Sequence, residues 1–272
     1  MSANDKPTGR RPVMLTVKHI QDITPSYRRI CCTSPDLAHY PECSHGAHIK
    51  LMLPQPGQLE PVLPELTDKG PKWADPQQKP ILRTFSIRAL RREQHEIDID
   101  VAMHGDIGPA SQFALHAKPG DKVAISLPGG PHPMLKPARH YYMAGDLTAV
   151  PALSAMLEEM PADSQGYIAI QVTDERDIQD LPHPEGVEVR WFVGTPDSYQ
   201  TLIDSVIAQP LVSDNSYFWL AGEEQIVVGL RKHVRRNLEV DRKSVYAVPY
   251  WRYGKNEEAY HQQRHNVMDD ES

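Results

Sequence analysis

The feature that most limits what this chain can become is a change of rhythm near its middle. Before residue 127 apolar residues alternate with polar ones in short runs, the period of a pleated strand. Val13, Leu15 and Val17 open the series, and SYRRICCTS, GAHIKLMLP, ILRTFSIRAL, HEIDIDVAMH and KVAISLP continue it. In the fifth run Ile97, Ile99 and Val101 alternate with acidic residues and Ala102. One short helix fits between the last two runs, starting near Pro109 and stopping before Lys118-Pro119-Gly120. Six short strands with one small helix, bounded by turn residues, predict a closed antiparallel barrel.

After LPGGPHPMLKPAR the rhythm is different. HYYMAG, YIAIQV, VEVRWFV, SYFWLAG and SVYAVPY read as strands, and PALSAMLEEM, DSYQTLIDSVIA and EEQIVVGLRKHVRRN between them read as amphipathic helices. Strands alternating with helices predict a parallel sheet covered on its faces. The expected organisation of the 272 residues is a barrel domain over 1–138 and an α/β domain over 139–272. Residues 54–80 hold seven prolines and no period, which rules out a regular helix or a central strand there.

Several classes of function are disfavoured. No apolar run approaches the roughly 20 residues of a membrane-spanning helix. The opening MSANDKPTGRRP lacks the apolar stretch of a secretory signal, so a cytoplasmic protein with no membrane partner is expected. Net charge is −7, split between 18 basic and 14 acidic side chains in residues 1–142 and 11 and 22 in the remainder. That balance argues against a nucleic-acid partner, while a basic first half suits an anionic cofactor or substrate. Cys31, Cys32 and Cys43 lack the spacing of a zinc site, and adjacent Cys31 and Cys32 read as packing residues on opposite strand faces. The histidine pairs His45/His48 and His261/His265 have no third ligand type beside them, so no metal is expected. No GxSxG, HExxH or Walker loop occurs.

Five stretches carry residues suited to holding a dinucleotide or its substrate. In Arg83-Thr84-Phe85-Ser86 a guanidinium can pair with a pyrophosphate, a ring can stack on a flat cofactor, and a hydroxyl can reach its edge. Alternation puts Arg83 and Phe85 on one face and Thr84 and Ser86 on the other. His104-Gly105-Asp106-Ile107-Gly108-Pro109-Ala110-Ser111 ends a strand and opens a helix, presenting backbone N–H groups to an anion. Gly145-Asp146-Leu147-Thr148 lies at the carboxyl end of the first α/β strand, and Ala221-Gly222-Glu223 at that of a later one, where open sheets bind ligands. Tyr250-Trp251-Arg252-Tyr253-Gly254 follows the last strand; a Trp flanked by Tyr is ordinarily packing, and spacing alone does not bring Arg252 to Lys50.

Together, in this order, these motifs resemble those of the siderophore-interacting proteins, FAD-containing ferric-siderophore reductases of the ferredoxin–NADP reductase superfamily. The likeness runs over roughly 12–256. It implies a six-stranded FAD-binding barrel followed by a nicotinamide-binding α/β domain. It further implies that Arg83, Thr84, Phe85 and Ser86, with His104, Gly105, Gly108, Ala110 and Ser111, hold FAD. Gly145, Asp146, Thr148 and Glu223 then line the nicotinamide pocket. The family's basic triad for anionic ferric siderophores falls on Lys50 and Arg252, with Lys136 or Arg139 as third member. One departure is Phe85, where the family usually carries Tyr: stacking survives and a phenolic hydrogen bond is lost.

The implied activity is reduction of iron(III) held by a catecholate or hydroxamate siderophore, with electrons from NADH or NADPH through FAD, so no residue of the chain serves as acid, base or nucleophile. Asp174 or Glu175 beyond the second α/β strand can accept from a ribose hydroxyl and repel a 2′-phosphate, whereas Arg176 argues the other way; NADH is the favoured donor. Two other readings remain at this point. One is a reductase of free flavin, quinone or an iron–sulfur partner, separable by substrate competition. The other is a siderophore-binding module without FAD, which predicts colourless protein.

Overall fold

The computed structural model describes residues 11–68, 70–103, 108–255 and 260. By its internal contacts the chain divides into two compact units, Met1–Met134 and Leu135–Ser272, where the sequence pattern puts the change near 138.

In the first unit, β1 (Val13–Thr24), β2 (Tyr27–Thr33), β3 (His48–Leu53), β6 (Ile81–Arg91), β7 (Glu96–Ala102) and β8 (Lys122–Ile125) close into the expected barrel. The order around it is β1-β2-β7-β6-β3-β8, and every pairing is antiparallel. Alternation fills the interior with Leu15, Val17, Ile30, Ile49, Leu51, Ile97, Ile99 and Ile125. On the other face of β2 and β7, buried Asp98 and Asp100 meet Arg91 and Arg29, each in a two-bond pair with both distances 2.7–2.8 Å. Such charges are tolerated out of water because donors satisfy both carboxylate oxygens. Cys32 belongs to the interior while buried Cys31 lies against Arg91, so the two adjacent thiols do point opposite ways.

The helix α1 (Pro109–His116) seats Ala114 and Phe113 against the barrel core, and Arg28 of β2 donates to the carbonyl of Ala114 at 2.6 Å near its C-terminal end. Between β3 and β6, which pair with each other, the proline-rich stretch forms a two-stranded hairpin of β4 (Glu65–Thr67) and β5 (Gly70–Lys72).

The second unit is a five-stranded parallel sheet of β9 (His140–Asp146), β10 (Gln165–Val172), β11 (Val187–Val193), β12 (Ser216–Glu223) and β13 (Val245–Trp251). Its order is β11-β10-β9-β12-β13, so the winding reverses between β9 and β12. Helices α3 (Gln200–Ile207) and α4 (Glu224–Arg236) pack Leu202, Ile203, Ile226 and Leu230 on the face formed by Tyr142, Ala144, Phe218 and Leu220. Helix α2 (Val150–Glu159) starts against Gly145, which alternation places on the opposite face. A sheet buried on both sides needs no polar alternation, which is why YIAIQV and SYFWLAG are nearly continuous apolar runs.

Candidate cofactor and substrate sites

In the barrel, the β3–β6 register sets Thr84 opposite Lys50, Arg83 opposite Leu51 and Phe85 opposite Ile49. Opposed residues share a face, so Arg83 and Phe85 lie on the side of the interior residues, as alternation requires. Phe85 is half-buried and packs against the core, and Arg83 donates to the Leu82 carbonyl at 2.8 Å. Lys50 and Thr84 occupy the outward side, joined by a 2.6 Å hydrogen bond from the ammonium to the hydroxyl. Ser86 is buried.

The opening of α1 fits an anion. Gly108 stands at φ 91°, a conformation that favours glycine; among the described residues no side chain caps the helix, and a Cβ on Gly108 would meet none of them within 4 Å. Ala110 and Ser111 occupy the first turn, where backbone N–H groups have no partner inside the helix. His104 and Gly105 lie outside the described residues.

In the α/β unit the carboxyl ends of β9, β12 and β13 meet around one buried carboxylate. Oδ1 of Asp146 accepts from the Thr148 amide at 2.8 Å and from its hydroxyl at 2.5 Å. Oδ2 accepts from the Glu223 amide at 2.9 Å and from the Trp251 indole at 2.7 Å. Burial pushes this carboxyl above its ordinary value, and the four donors limit the rise. Glu223 is raised by burial too; its carboxylate accepts from the amides of Tyr253 at 3.0 Å and Gln225 at 2.6 Å, capping α4. Both carboxylates of the set expected at the nicotinamide pocket thus face protein donors. Of that set, Gly145 and Thr148 stay at the strand end, and Gly145 is glycine because a Cβ would come within 2.5 Å of the Ala149 Cβ.

The two candidates for a third basic residue are not brought to Arg252. Arg139 precedes β9, and Lys136 donates to the Lys243 carbonyl at 2.6 Å, just before β13. Arg252 follows the seven residues of β13, so the strand puts roughly 20 Å between the two edges of the sheet. Arg252 itself lies 3.2 Å from Glu224.

Sequence reasoning missed two residues here. Gln171 is buried and donates to the carbonyls of Thr195 at 3.1 Å and Ser198 at 3.0 Å, fastening the loop after β11. The one amide in the apolar run YIAIQV was the available signal. Tyr199, buried in that region, has its hydroxyl pushed up by burial and then by the nearby charges of Asp146 and Glu223.

Residues 16–132 match the siderophore-interacting FAD-binding domain, and residues 138–254 match the siderophore-interacting protein family. Ferric vibriobactin reductase ViuB of Vibrio cholerae is 38% identical over 263 residues, 96% of either chain. This chain belongs to the siderophore-interacting proteins. Among solved structures of the family, the siderophore-interacting protein SipS from Aeromonas hydrophila superposes with a TM-score of 0.88 at 60% identity, covering 96% of this chain and 99% of that one. The NADPH-dependent ferric-chelate reductase of Escherichia coli is 27% identical over 87% of this chain and 91% of its own. As a siderophore-interacting protein, the chain has an FAD-binding barrel and a ferredoxin reductase-like fold. No helix among the described residues is long and apolar enough to cross a membrane.

Proposed function

We propose that this protein is an FAD-dependent ferric-siderophore reductase, taking electrons from a reduced nicotinamide dinucleotide and delivering them to iron(III) held by a catecholate or hydroxamate siderophore. The observation that carries this reading is the full-length likeness to a protein named ferric vibriobactin reductase, 96% of both chains. The barrel residues fit the cofactor chemically: the helix start at Gly108–Ser111 for a pyrophosphate, Arg83 as its cationic partner and Phe85 as a flat apolar surface for a ring. When bound, FAD supplies the conversion of a two-electron hydride donor into single electrons.

The chain's own work is binding and orientation. Gly145 and Thr148 stand at the carboxyl end of β9, where the sheet's winding reverses and a nicotinamide nucleotide would bind. Lys50 and Arg252 supply positive charge for an anionic chelate. No protein ligand to iron is needed, because the chelator's oxygens already fill its coordination; reduction to iron(II), a poorer match for hard oxygen donors, loosens the complex. For the donor, NADH is the better fit: beyond β10 Asp174 holds the Arg176 guanidinium through both carboxylate oxygens, and Glu175 adds a further negative charge in the same turn, which would repel a 2′-phosphate.

Competition at fixed NADH tests the assignment. The expected result is that a ferric tris-catecholate or ferric hydroxamate is reduced in preference to free flavin or quinone. Preference for free flavin or quinone would make the protein a general reductase instead.

A further inference from the structure

Asp146 is 4% exposed, and its carboxylate offers about four lone-pair sites. All four are taken, two by Thr148 within its own turn and two by groups on other strands, the Glu223 amide of β12 and the Trp251 indole of β13. A ligand-contacting carboxylate would keep a lone pair for the ligand. This one spends its second oxygen on reaching past β12 to the edge strand.

Two features of the backbone make that reach possible. Gly222 of β12 has φ 96°, and a Cβ there would lie 2.9 Å from the Asp146 Cγ, so only glycine leaves the passage open. The β12–β13 register then slips: Gly222 opposes Pro249 while Glu223 opposes Trp251, with Tyr250 as the extra residue. Beyond Trp251 the chain stays pinned, by the Tyr253 amide to Glu223 and by Arg252 to Glu224 at 3.2 Å. Arg252 thus sits between two fastened neighbours.

We infer that Asp146 is a positioning residue which, through the indole N–H of Trp251, fixes how the chain leaves β13 and hence where Arg252 presents its guanidinium. The inference rests on the proposed role of Arg252 toward an anionic ferric chelate for its consequence, but not for its geometry. The alternative, that Trp251 merely fills space, predicts that a ring of similar shape without the N–H does equally well.

The test compares FAD-loaded wild type with Trp251→Phe, which keeps the aromatic packing and removes the donor, and with Asp146→Ala, which removes the acceptor of all four bonds. Hydrogen exchange at the Tyr253 amide should quicken at least tenfold in both. With a ferric tris-catecholate at low salt, Trp251→Phe should raise KM about tenfold while leaving the rate of flavin reduction by NADH within about twofold. In an Arg252→Ala background the same substitution should add nothing further to KM. Unchanged exchange at Tyr253 in both variants overturns the inference whatever turnover does, and so does an equal KM effect with and without Arg252. Faster exchange together with an Arg252→Ala variant of wild-type KM leaves the positioning intact and removes the chelate-binding role of Arg252.

Discussion

The ammonium of Lys50 donates to the hydroxyl of Thr84 at 2.6 Å, directly across the β3–β6 ladder and one residue from Phe85. Lys50 adds positive charge on the outward side of β3, and the proposed capture of an anionic chelate draws on that charge. Replacing it with methionine, which keeps most of the stem, should raise KM for a ferric tris-catecholate by about three- to tenfold at low ionic strength and flatten its salt dependence. Steady-state kinetics across a salt series provide the check; an unchanged KM and salt slope would count against the role.

Phe85 gives the barrel a ring with no polar handle. Phe85→Ala should weaken FAD retention about tenfold, on the order of 1.4 kcal/mol, through lost stacking and apolar contact. Phe85→Tyr should retain the cofactor at least as well as wild type. Equilibrium dialysis of FAD against each variant measures both, and wild-type retention by Phe85→Ala would show that the ring serves only the barrel core it packs against.

On the proposed preference for NADH, Asp174 should carry the discrimination between the two nicotinamide dinucleotides. Its bond to Arg176 is exposed to solvent and of little worth for stability, but it neutralises the guanidinium nearest the end of β10. Asp174→Asn should shift the ratio of kcat/KM for NADPH over NADH upward by about tenfold, since a released guanidinium attracts a 2′-phosphate and one repelling charge is gone. A ratio that does not move would place the discrimination elsewhere.

Acid should loosen the barrel's outer ladder. Burial pushes Asp98 up, but hydrogen bonds and charge from Arg91 outweigh it and hold the carboxyl below its ordinary value. A carboxyl depressed on folding contributes stability that is complete above its unfolded value near pH 4 and is lost as pH falls through the folded value. Asp146, raised by burial, has the opposite sign: its contribution is greatest at low pH and declines as pH rises through its folded value. Urea midpoints measured between pH 6 and 3 should fall less steeply for Asp98→Asn than for wild type. The variant should also start about 1–3 kcal/mol less stable near neutrality, because Arg91 loses a charged acceptor.

The barrel and the parallel sheet were legible because each rests on a period: alternation in β1 through β8, and buried strands punctuated by amphipathic helices from β9 onward. The short hairpin inside 54–80 was not, since three-residue strands among prolines carry no period. Residues at strand ends were found by position, but what they do there depends on the third dimension. Asp146 and Glu223 read as pocket-lining acids, yet their oxygens are taken by an indole and by amides up to 105 positions away in sequence. Lys136 and Arg139 looked close to Arg252 only by charge, and the length of a strand separates them. Gly222 carried the clearest unread signal: a glycine inside SYFWLAGE, where no turn is needed, marks a close approach.

The most direct test of the central claim is an anaerobic mixing experiment on the purified, FAD-loaded protein. Addition of NADH should bleach the yellow flavin absorbance, and a following addition of a ferric tris-catecholate should restore it while an iron(II) indicator develops colour in the ratio of two iron atoms per NADH. A flavin that NADH bleaches but the ferric chelate does not re-oxidise, or a purified protein that neither carries nor takes up FAD, would contradict the account.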